Sequence, residues 1–99
     1  MINYRAFKMI EDRFSDHIRS FNHHDVTGED SDAHFWAVRD RLKLAEVALE
    51  RSPLIKTSTL ARSFGDIYSA IKRNLSDAER AEWDRLNDVI GDLTDKYGI

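Results

Sequence analysis

"SDAERAEWDRLNDVIGDLTDKYGI", residues 76–99, is the stretch that decides the fold class. Ser76 stands three residues before Glu79, the spacing at which the serine hydroxyl takes the Glu79 amide while the glutamate reaches back to the Ser76 amide. Two orphan donors at a helix start are then satisfied together. Downstream, Trp83, Leu86, Ile90, Leu93 and Tyr97 follow at intervals of 3, 4, 3 and 4, a single stripe along an α-helix. Gly98 occupies the place where a left-handed residue ends such a helix. A helix is expected near 77–97.

Working outward, the same periodicity recurs three times. Tyr4, Phe7, Ile10, Phe14, Ile18 and Phe21 share one side of a helix near 4–22. Phe35, Val38, Leu42, Ala45 and Leu49, widened by Trp36, Leu44 and Val47, mark a helix near 32–51, capped by Ser31 or Asp32 and stopped by Ser52-Pro53. Leu60, Phe64, Ile67, Ile71 and Leu75 mark a helix near 58–74, entered through Thr57-Ser58. No alternating strand pattern competes. Four amphipathic segments of matched length bury their stripes most simply as an all-α antiparallel four-helix bundle or compact four-helix domain, with 1–99 as one helical domain. The very short connection at Leu75-Ser76 sets the third and fourth helices side by side.

Composition narrows the function. The 99 residues are 41% hydrophobic and 33% charged, the balance of a folding chain. The absence of cysteine excludes disulfides, thiolate zinc sites and a cysteine nucleophile. No apolar run approaches the roughly 20 residues of a membrane span, so no membrane partner and a cytoplasmic location are expected. The net charge of −3 is small but segregated: residues 51–75 carry five bases against Asp66, and residues 76–99 carry seven acids against three bases.

Motifs for chemistry are sparse. The stretch "FNHHDVTGEDSDAHF" at 21–35 gathers three histidines and three aspartates, with Glu29 as a fourth acid. A metal site there would draw on His23, His24, Asp25 and His34, but adjacent histidines at a helix end do not share a face. The plainer reading is a solvated connection with "TGED" as its turn and "DSDAH" as the next helix start. His17, between Phe14 and Phe21, reads as a histidine bordering the apolar stripe. There is no Gly-rich phosphate loop, G-x-S-x-G elbow or H-E-x-x-H helix, so neither an enzyme nor a cofactor is expected.

"TSTLARSFGDIYSAIKRNL", residues 57–75, has partial helix-turn-helix character: Ala61, Gly65 and Ile71 occupy the small, turn and anchor positions. A nucleic-acid reading would use Arg62, Ser69, Lys72 and Arg73. Asp66 and Asn74 stand where that motif needs apolar residues, and one continuous helix accounts for the same stripe.

The preferred expectation is a small non-enzymatic protein–protein interaction module, an adaptor, regulator or inhibitor of a larger partner. Ten aromatic residues exceed what a four-helix core readily hides. Trp36 and Tyr68 fall beside the main stripes and are expected on the surface, with Arg62 and Arg73 as further contact candidates. Glu79, Asp84, Asp88, Asp92 and Asp95 form an acidic face that would suit mimicry of a phosphate backbone. A homodimer through the same apolar groups is the related outcome.

Overall fold

The computed structural model describes residues 4–51 and 64–99, with side chains over 7–51 and 67–99. Among these residues there are four helices and no strand: α1 at Tyr4–Asn22, α2 at Gly28–Glu50, α3 at Phe64–Arg73 and α4 at Asp77–Lys96. The described residues thus form an all-α, four-helix arrangement. The expected opening of the third helix at 58–63, its Thr57-Ser58 cap and the Ser52-Pro53 stop lie outside the described residues.

Local chemistry sets the helix ends. The Ser76 hydroxyl accepts from the Glu79 amide at 3.2 Å and Glu79 Oε1 accepts from the Ser76 amide at 2.8 Å, completing the capping box. Tyr97 caps the far end, followed by Gly98 at φ +69, the left-handed region that glycine enters without a Cβ clash. The expected start of α2 needs correction. It begins at Gly28, not near residue 32, because Thr27 rather than Ser31 or Asp32 is the cap: its Oγ1 accepts from the Asp30 amide at 3.2 Å. "TGED" is therefore the first helical turn, with Glu29 and Asp30 at the positive end of the dipole.

α2 is the central element and packs against each of the other three helices. Two sets of polar contacts tie the poles. At one, Asp30 near the α2 start accepts from the Tyr97 hydroxyl and, at 2.8 Å, from Lys96 Nζ on α4. At the other, Arg51 at the end of α2 reaches the Asn74 carbonyl at 3.2 Å and both Glu79 carboxylate oxygens, at 2.5 and 3.2 Å. The C-terminal ends of α2 and α3 consequently meet at one pole, where α4 begins. α3 and α4 touch through Lys72 and Asp84 at 3.5 Å and through the Tyr68 and Trp83 rings. This is the expected meeting of the basic and acidic segments. Such exposed pairs contribute about 0–1 kcal/mol each, so packing, not charge, holds the helices.

The core takes Ile10 and Phe14 from α1, Val38, Leu42, Ala45 and Leu49 from α2, Ile67 and Ile71 from α3, and Trp83, Leu86 and Ile90 from α4. These are the expected stripes, with one displacement on α2. Its buried line is His34, Ala37, Val38, Arg41, Leu42, Ala45, Ala48 and Leu49, so Phe35, expected in the core, is turned outward. Gly91 sits inside α4, where a glycine costs about 1 kcal/mol relative to alanine. A Cβ there would meet nothing within 4 Å. Gly91→Ala is expected to raise the unfolding free energy by about 1 kcal/mol, roughly 4–8 °C in melting temperature by calorimetry. An unchanged or lower melting temperature would refute this.

Candidate functional site

Because α2 buries the line through His34, Val38 and Arg41, the neighbouring line through Phe35 and Trp36 faces away from the core. Trp36 is 59% exposed and Phe35 39%, with ring centroids 5.3 Å apart in an edge-to-face pair. Beside them a groove of about 260 Å³ runs between α1 and α2. Its apolar lining is Phe14, Ile18, Phe35, Val38 and Leu42, and its charged lining residues, Arg19 and Arg39, are both cations. Arg19 is paired with Asp16 on its own helix. Arg39 forms no ion pair among the described residues.

On the other side of Phe14 lies a feature that the apolar pattern concealed. Arg41 is only 7% exposed and His34 only 1%. The Arg41 guanidinium lies 4.1 Å from the Phe14 ring centroid, a cation–π contact. Its Nη1 donates to Asn87 Oδ1 on α4 at 2.7 Å, and its Nη2 stands 3.4 Å from His17 Nδ1 on α1. No carboxylate among the described residues comes within ion-pair distance of it. His34 stacks flat on Phe21, centroids 4.0 Å apart and planes 8° from parallel. Two buried nitrogens, Arg41 Nε and His34 Nδ1, have no hydrogen-bond partner among the described residues. Burial is the main cause that pushes the His34 imidazole down to about 4, with the Arg41 charge second. His17 is lowered too, again chiefly by burial, then by Arg41 and Arg13. Both rings are therefore neutral at pH 7.

Not all expected site residues fall where the sequence placed them. Trp36 is exposed as expected. Tyr68 is not: it is half-buried, flanked by the Phe14 ring at 6.4 Å and the Trp83 ring at 6.2 Å, because α3 turns it into the same core. Asp84, Asp88, Asp92 and Asp95 are exposed along α4, whereas Glu79 is occupied by Arg51 and the capping box. Arg51, first, and the Ser76 backbone amide hold the Glu79 carboxyl down to about 2. His23, His24 and Asp25 are exposed in the connection between α1 and α2, while His34 is inside the domain. No group of three or more potential ligands among the described residues could hold a metal ion.

For the nucleic-acid candidates, Ser69, Lys72 and Arg73 are exposed on α3, and Arg62 lies outside the described residues. Of the helix-turn-helix candidate at 58–75, Phe64–Arg73 is a described helix with Gly65 in its first turn, and the upstream part with Ala61 lies outside the described residues. No helix among the described residues is long and apolar enough to cross a membrane.

Comparison with protein-family models, with curated proteins and with solved structures finds no match to this chain.

Proposed function

We propose that the chain is a protein–protein interaction module that docks an acidic amphipathic helix of a partner in the groove between α1 and α2. The observation that carries this reading is Trp36, which stands more than half exposed and packs edge-to-face on Phe35, a residue that lines that groove. A large indole in water is costly to leave uncovered, and tryptophan is enriched among residues that dominate binding energy. The charge of the groove selects the partner's chemistry: Arg19 and Arg39 flank an apolar floor, so a helix carrying Leu or Phe anchors edged by Asp or Glu is complementary. In such a complex the module acts through occupancy, as an adaptor, regulator or inhibitor does.

The test uses two synthetic helical peptides with identical apolar anchors, one edged by glutamate and the other by lysine. Titration is followed by Trp emission and by amide shifts. The acidic peptide is expected to bind saturably and shift the emission of Trp36 to the blue, with Trp36→Ala weakening affinity at least tenfold, about 1.4 kcal/mol or more. Equal binding of the basic peptide, or binding unaffected by Trp36→Ala, would overturn the reading. Light scattering supplies the other decisive result: a dimer dispersed by Trp36→Ala would place a second copy on this face instead of a partner.

A further inference from the structure

Another cleft lies between α1, α2 and α4 and has a volume of about 270 Å³. His17, Ser20 and Phe21 line it from α1, His34 and Arg41 from α2, and Ile90, Thr94 and Ile99 from α4 and its end. Every titratable side chain in that lining is basic. Most buried guanidinium groups face a carboxylate, because removing a full charge from water is otherwise uncompensated. Here Arg41 has only neutral acceptors, the Asn87 amide and the His17 ring, together with the face of Phe14. Those three contacts hold the guanidinium in place, yet its Nε–H is left without an acceptor among the described residues. His34 is held in the same way: Phe21 fixes its ring plane, while Nδ1 has no partner. Two immobilised nitrogens without a partner among the described residues therefore belong to side chains, Arg41 and His34, that line one cleft together with Ser20.

We propose that this cleft is a binding site for a small oxyanion, a carboxylate or a phosphate group, with Arg41 as its charged anchor and His34 and Ser20 as neutral donors. The Arg41 Nε–H and an adjacent Nη–H form a fork that matches two oxygens of such a group, a geometry lysine cannot reproduce. His34 contributes as the tautomer that carries its proton on Nδ1. His17 keeps the opposite tautomer, since its Nδ1 accepts from Arg41. The anion would supply the countercharge that the cleft's side chains do not give Arg41, offsetting the cost of its burial. The groove at Phe35 and Trp36 lies across Phe14 from this cleft and takes no part in it.

The test is an NMR titration of the full chain at pH 7, reading the Arg41 side-chain Nε–H and the His34 ring nitrogens. Inorganic phosphate and acetate are added in separate arms, at ionic strength matched with sodium chloride. A saturable shift of both reporters with phosphate alone assigns a phosphate group, with acetate alone a carboxylate, and with both an oxyanion site of broad tolerance; each supports the proposal. Arg41→Lys, which keeps a cation but removes the fork, is expected to weaken the effective anion at least tenfold. Shifts that rise linearly with salt, shifts reproduced by chloride, or binding undiminished in Arg41→Lys would each overturn it. The wild-type titration decides the matter even if the variant does not fold.

Discussion

Phe14→Ala is expected to destabilise the fold by about 3–5 kcal/mol, the cost of replacing a fully buried phenyl ring by a methyl group. Phe14 is 1% exposed and stands where three interactions meet: its ring carries the Arg41 guanidinium, lies near the His17 ring and faces Tyr68 across from α3. Truncation leaves a cavity beside a buried charge, so the transfer loss and the loss of the cation–π contact act together. For a domain of this size the melting temperature should fall by more than roughly 12 °C. Phe14→Leu separates the two contributions, since it restores most of the apolar volume but not the ring face. Urea unfolding at constant m-value measures both variants. A loss below about 1 kcal/mol for Phe14→Ala would contradict the central position assigned to this ring.

The second large effect is a loss of stability on mild acidification. The His34 imidazole is at about 4 in the folded protein and near the ordinary 6.5 when unfolded. Between these values the unfolded chain binds the proton and the folded chain does not, so stability is complete above pH 6.5 and declines as pH falls toward 4. The 2.5-unit difference corresponds to about 3 kcal/mol at most, and the open cleft beside the ring reduces this to about 2 kcal/mol. The groups facing the ring do not offset the loss. Arg41 on α2 is cationic, His17 on α1 is itself lowered, and no acidic side chain lines the cleft from α4. Glu79 acts in a lower window, from 4.5 to about 2, where protonation releases Arg51 and the capping box. Urea unfolding at intervals from pH 7 to pH 4 should therefore show a steady decline that His34→Phe largely flattens. A wild-type curve without slope between 6.5 and 4.5 would refute the assignment.

Much of the architecture is legible without coordinates because its determinants are local. The Ser76–Glu79 box and Gly98 delimit α4 through contacts spanning three or four residues, and the stripes of α1, α3 and α4 repeat with the helical period. The start of α2 was hidden for an equally local reason. Thr27 offers a weaker visible signature than the Ser31 and Asp32 that follow it, yet its hydroxyl is the one that meets a free amide.

The candidate sites belong to the other class. On α2 the apolar residues at 33, 35, 36, 37, 38, 42, 44, 45, 47, 48 and 49 cover too much of the circumference to name one buried face. What turns the helix is its position among three neighbours. Asn87 lies 46 residues beyond Arg41 and Tyr97 lies 67 beyond Asp30, and these pairs exist only once α4 has packed against α2. With Arg41 and His34 turned inward, Phe35 and Trp36 are turned out. Sequence alone thus determined where the helices run and which stripes could be buried, since capping and periodicity act within one turn. Tertiary packing alone decided that a cation would lie inside and an indole outside, since only neighbouring helices can choose between two faces of comparable hydrophobicity.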